Sequence, residues 1–88
     1  MLKELLEYII KEIVSQPKKV KIGETAEPDG TVHLTLSVSE EDMGIVIGKQ
    51  GRTIIAIRSL LKTAAAKAGQ LVFIELEEKN PKSLNPIS

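Results

Sequence analysis

Two glycines bracket two polar residues inside an apolar run, Ile45-Val46-Ile47-Gly48-Lys49-Gln50-Gly51-Arg52-Thr53-Ile54-Ile55. No single helix passes through such a stretch. A short helix from about Met43 to Ile47 must end at Gly48, and a longer one follows Gly51 to about Ala68, where Gly69 stops it. The chain is therefore obliged to build two helices joined by a tight polar turn, and the rest of the sequence has to pack around that pair.

The flanking segments supply what the pair can pack on. Leu2, Leu5, Leu6, Ile9, Ile10, Ile13 and Val14 recur at spacings of three and four, which predicts an amphipathic helix of about four turns stopped by Pro17. Alternation of period two follows. It begins at Val20 and Ile22 and returns at Val32, Leu34, Leu36 and Val38, with Thr31, His33, Thr35 and Ser37 between. Pro28-Asp29-Gly30 separates the two stretches, so they read as a β-hairpin. Ser39 is a good N-cap for the short helix, with Glu40, Glu41 and Asp42 at its favoured acidic end. Leu71 to Leu76 reads as a last strand, with Val72, Ile74 and Leu76 on one face. The expected class is α+β in the order α-β-β-α-α-β: a three-stranded sheet with helices on one face, and the face of His33, Thr35 and Ser37 left to water or a partner. Residues 1–78 form one domain in this reading, and 79–88, with two prolines and no period, a flexible tail.

Composition removes whole classes of function. With no cysteine and one histidine, neither a disulfide framework nor a zinc or iron centre is expected. No apolar run approaches the roughly 18–20 residues that span a bilayer, and Glu4, Glu7 and Glu12 interrupt any secretory signal. A cytoplasmic address without membrane contact is the default. The only aromatic rings of the Phe, Tyr, Trp class are Tyr8 and Phe73, so a row of exposed rings for stacking bases cannot be built. The formal net charge is +0, yet it hides an asymmetry. Residues 43–74 carry Lys49, Arg52, Arg58, Lys62 and Lys67 and no acid, while residues 1–42 carry nine acidic and five basic side chains.

The glycine-bracketed loop lies inside that acid-free segment. A bare G-x-x-G is often only a flexible connection. Here the glycines remove β-carbons where a ligand could approach the main chain, and the loop opens a helix whose N–H groups and positive end suit phosphate. Together these describe a clamp for a sugar–phosphate backbone. Ile47-Gly48-Lys49-Gln50-Gly51-Arg52-Thr53-Ile54 resembles the I-G-x-x-G-x-x-I signature of the KH domain, a single-stranded RNA or DNA binding fold. A helix and a strand ahead of the β-α-α-β core give the bacterial, type II order. The longer string from Glu41-Asp42-Met43-Gly44 to Ala56-Ile57-Arg58 is similar to the small single-KH bacterial proteins of the KhpA/YlqC type, over roughly residues 1–78.

The resemblance implies a set of roles. Gly48 and Gly51 would let the loop pass close to phosphates, Lys49 and Gln50 would make polar contacts, and Arg52 would sit nearby. Ile45, Ile47 and Ile54 would form an apolar floor for bases, with Ile47 and Ile54 also serving the core, and the edge of strand Val32–Val38 would read base edges through its backbone. It implies no catalytic residue and no cofactor. It also implies a homodimer, or a heterodimer with a larger KH-containing RNA-binding protein, and RNA chaperone-like, post-transcriptional roles tied to cell division and cell shape.

Several positions keep a second reading. In the long helix Ile54, Ile57, Leu60, Leu61, Ala64 and Ala68 fall on one apolar arc, enough to pack it on the sheet. Ile55 falls off it, as an isolated exposed isoleucine or, with the small Ser59 and Ala66 nearby, a contact for another helix. Arg58 and Lys62 share a face, which is solvated, touches RNA backbone or belongs to an interface. Lys18, Lys19 and Lys21 read as solubilising. Beside RNA binding stands a protein-interaction adaptor whose KH fold does not touch RNA. A nucleotide-hydrolysing enzyme is disfavoured, since G-x-x-x-x-G-K-[ST] is missing and no acid lies near the loop to hold magnesium.

Overall fold

In a computed structural model Leu2, Leu6 and Ile10 form the buried stripe of α1 (Leu2–Ile13), which Val14 ends in an extended conformation. The structure describes residues 1–77; the expected tail, 79–88, lies outside the described residues. Pro17 opens a single tight turn (Pro17–Lys19), and the chain enters β1 (Lys21–Ala26), then β2 (Val32–Ser37). Asp29 shapes the hairpin turn by accepting the Thr31 amide at 2.9 Å. A second tight turn (Glu40–Asp42) leads into α2 (Met43–Ile47); α3 (Arg52–Lys67) and β3 (Val72–Glu77) complete the order α-β-β-α-α-β.

The sheet order is β1-β2-β3, with β1 and β2 antiparallel and β2 and β3 parallel. The parallel pairing follows from the connection: α2 and α3 carry the chain back across the sheet before β3 starts. Val32, Leu34, Leu36, Val72 and Ile74 supply the sheet's side of the core, which Leu6 and Ile10 of α1, Val46 of α2 and Ile54, Ile57, Leu61 and Ala65 of α3 close. No helix among the described residues is long and apolar enough to cross a membrane.

Three expectations are corrected by packing. The buried stripe of α3 is Ile54, Ile57, Leu61 and Ala65, while Leu60 is 54% exposed, because the sheet and α1 cover a narrower sector than the apolar arc offers. Val32–Ser37 is the central strand, bonded on both sides, so it has no edge to present to a ligand; the outer strands are β1 and β3. The sheet's open face is also less bare than its alternation suggests. Ser37 is buried, and His33 stacks on Phe73 across the parallel pair with centroids 5.4 Å apart while its Nε2 lies 2.9 Å from Glu27 Oε2.

Candidate nucleic-acid interface

The loop between α2 and α3 owes its shape to three residues with positive φ. Gly48 (φ 79°, ψ 172°) lies in a region essentially reserved for glycine, and Gln50 (φ 55°) and Gly51 (φ 75°) are left-handed. The Gly48 amide closes α2 on Gly44 O at 2.9 Å, and the Gly51 amide returns to Gly48 O at 3.1 Å. Lys49 and Gln50 are thereby pushed into solvent. Left-handed backbone at Gln50 is unusual for a residue with a side chain, and such strain concentrates where a loop meets a ligand.

The two glycines do different work. A β-carbon on Gly51 would meet nothing nearer than Ile55 Cδ1 at 4.0 Å, so the main chain there is approachable. At Gly48 the missing β-carbon makes room for Thr53, whose own Cβ and amide nitrogen would lie 2.6 and 2.7 Å from it. Gly48 thus clamps the loop onto the first turn of α3, and Gly51 leaves the outer side bare.

Around the loop, Ile45 is exposed, Ile47 half-buried and Ile54 buried at 7% exposure. Ile45 and Ile47 can meet a ligand; Ile54 supports them from the core. Arg52 opens α3 and is exposed, as are Ile55, Ser59 and Lys62. Arg58 is drawn inward instead, its Nε donating to Ile74 O of β3 at 3.1 Å. Arg58, Lys62, Val72, Phe73, Ile74 and Glu75 line a recess of about 220 Å³ along the seam between α3 and β3.

Sequence reasoning missed the role of Asp42, which it read only as one of three acids at the favoured end of a helix. The carboxylate is buried: Oδ1 accepts the Ser15 amide and hydroxyl at 2.9 and 2.8 Å, and Oδ2 accepts the Gln16 amide at 3.0 Å and the Ser39 hydroxyl at 2.9 Å. Ser39 therefore donates to Asp42 rather than capping a backbone amide. The Ser15 amide does most to hold the Asp42 carboxyl below its ordinary pKa of 3.8, against the opposing effect of burial. The tie joins the end of α1 to the start of α2 and so fixes the helix that delivers the loop. The Ser-x-x-Asp spacing was the available signal; its partners at Ser15 and Gln16 are long-range.

A sheet with a parallel β2–β3 pair, a helix and strand ahead of it, and a glycine-bracketed turn between two helices define a type II KH domain. The family model for the KhpA/KhpB KH domain matches residues 3–76, and the chain belongs to that family. It is 45% identical over 75 residues to the RNA-binding protein KhpA of Clostridium perfringens, covering 85% of this chain and 99% of the relative. To the RNA-binding protein KhpA of Chlamydia pneumoniae it is 44% identical over 78 residues, covering 89% and 99%. Among solved structures, Era in complex with MgGDPNP and nucleotides 1506–1542 of 16S ribosomal RNA superposes with a TM-score of 0.56 at 20% identity, over 85% of this chain and 28% of that one. This last likeness is one of fold.

Proposed function

We infer that this protein binds single-stranded RNA, gripping the sugar–phosphate backbone at Gly48–Gly51 and laying bases on the apolar surface of Ile45 and Ile47. One observation carries the reading: the bare, left-handed main chain at Gly51 lies at the head of a 16-residue helix, inside the acid-free segment with Lys49 and Arg52. Relatives named as RNA-binding proteins, similar over nearly their whole length, support it. The reading assigns no catalytic residue and no cofactor. It places the protein in the cytoplasm as an RNA chaperone or post-transcriptional regulator, with 1–78 as its binding domain.

The test titrates a fluorescent single-stranded RNA against wild type and a Lys49→Glu, Gln50→Asp double variant. Both positions are exposed, and Asp tolerates the left-handed backbone at 50, so the fold is spared. At least a tenfold loss of affinity is expected. Equal binding by a folded variant would remove the loop from the mechanism.

A second reading, self-association or docking to a larger KH protein, is favoured by exposed apolar residues on α3: Ile55 at 59% and Leu60 at 54%. One KH groove holds only about four nucleotides, and joining two raises the effective concentration of the second. Sedimentation of wild type and Ile55→Asp decides it. A fall in mass with retained binding to a short RNA supports a dimer; a monomer in both cases excludes a homodimer. Association without any RNA binding would point to the adaptor.

A further inference from the structure

One hydrogen bond at the hairpin fixes which main-chain groups line the outer edge of β1. The Glu27 amide bonds Thr31 O at 2.8 Å, and this pair continues the register that sets Thr25 opposite His33 and Gly23 opposite Thr35. Alternation therefore turns the main-chain groups of Lys21, Gly23, Thr25 and Glu27 toward β2 and those of Ile22, Glu24 and Ala26 outward. No strand covers that edge among the described residues. Ile22 is half-buried and Glu24 and Ala26 are exposed, so α1 leaves the edge open. The edge also has definite ends. The next outward groups belong to Val20, whose amide is taken by Pro17 O at 3.2 Å, and to Pro28, which has no N–H.

Charged side chains usually keep a bare edge from pairing. Those of β1 are arranged so that the edge complements itself. Lys18, Lys19 and Lys21 stand at its start, and Glu27 and Asp29 at its end. Laid antiparallel on a copy of itself so that Ile22, Glu24 and Ala26 all find partners, the strand has a single register, Ile22 on Ala26 and Glu24 on Glu24. In that register Val20 meets Pro28, so the two positions without a free N–H fall on each other. The intervening pairs are the close, non-hydrogen-bonded ones, with Cα atoms about 4.5 Å apart, and they set Lys21 of each copy directly against Glu27 of the other. Glu24, against its own copy, is the opposing contact.

We propose that β1 pairs in this register with β1 of a second copy of the chain, about a two-fold axis at Glu24, making one continuous sheet from two. The interface is separate from the α3 contact considered above and leaves α3 free. An axis normal to the sheet puts both helix layers, and with them both Gly48–Gly51 loops, on one side, so that a single RNA can be held twice. That last consequence rests on the RNA-binding reading; the pairing itself does not.

Sedimentation equilibrium of the whole chain in an Ile55→Asp background, which blocks any α3 contact, tests the pairing. A monomer–dimer equilibrium is expected. Glu24→Pro loses an N–H that points away from β2, so it should keep the fold, checked by circular dichroism, and weaken association at least about tenfold. Glu24→Gln at the same position removes the like-charge pair and should strengthen association by about 1.5- to 5-fold. Lys21→Glu should weaken it, and Lys21→Glu joined to Glu27→Lys should restore it to within about twofold, a rescue that misfolding cannot produce. A monomer at every concentration, undiminished association of Glu24→Pro, or failure of the paired exchange to rescue overturns the proposal. In the same background a uridine 20-mer should bind at least about tenfold tighter than a uridine hexamer, an advantage that Glu24→Pro reduces. If neither RNA binds while association follows the variants, the loop reading falls and the edge pairing stands.

Discussion

Gly48 and Thr53 are packed so closely that a β-carbon on the glycine would lie 2.6 Å from the threonine Cβ. Contact of this kind leaves no rotamer to relieve it, since Thr53 amide nitrogen lies just as near, and the backbone at Gly48 is in a region only glycine uses freely. Gly48→Ala therefore combines backbone strain with overpacking and should cost about 2–5 kcal/mol. Gly51→Asn, in open space and in a left-handed conformation that Asn adopts, should cost less than about 1 kcal/mol. Urea titrations of the two variants check the contrast. Equal losses would mean that the clamp on Thr53 does not hold the loop.

Asp42 makes acid stability depend on one buried carboxylate. Its folded pKa lies below 3.8, chiefly through the Ser15 amide, so folding favours the charged form. Its contribution is fully present above the unfolded value and is lost as pH falls through 3.8 toward the folded value. Thermal melts between pH 7 and pH 3 should show wild type losing stability at the acid end, and Asp42→Asn should lower the neutral-pH melting temperature while flattening that fall. Asp42→Asn keeping the wild-type acid slope would assign the loss to other carboxylates.

Adjacent leucines on α3 separate what is buried from what is merely apolar. Leu61 is fully buried and Leu60 is 54% exposed. Leu61→Ala should cost about 2–5 kcal/mol, whereas Leu60→Ala in the isolated chain should stay within about 0.5 kcal/mol. Denaturant midpoints at micromolar and at higher protein concentration test this. A concentration-dependent loss confined to Leu60→Ala would tie that residue to self-association.

The same pair marks how far the sequence could be read. Periodicity located α1, α3, β2 and β3, since each buries a stripe or a face that its own spacing announces: Leu2, Leu6 and Ile10 in α1, Val72 and Ile74 in β3; β1, with only Ile22 part-buried, was placed by the hairpin turn, and α2 by the glycine that ends it. The loop was legible because glycine is the residue that its backbone demands at Gly48 and Gly51. Periodicity names an apolar arc but not how much of it a neighbour covers, which is why Leu60 was placed inside. Nor does it order strands. That β2 is central, and that β3 supplies the edge beside α3, follows from the parallel crossover, a long-range pairing with no local signature. The ties of Asp42 to Ser15 and of Arg58 to Ile74 span 27 and 16 residues and were invisible for the same reason.

Salt dependence tests whether the acid-free segment meets phosphate. Five basic groups between residues 43 and 74 allow about three to five phosphate contacts, and single strands release roughly 0.7 counterion per contact. The logarithm of affinity should then fall against that of salt with a slope of about −2 to −3.5, so fourfold more salt weakens binding by about 20- to 130-fold. Lys49→Gln should reduce the slope by about 0.7, the share of one phosphate contact, since Lys49 is exposed in the loop that the proposed grip uses. A flat response in wild type would mean that apolar contact, not the charged loop, holds the strand.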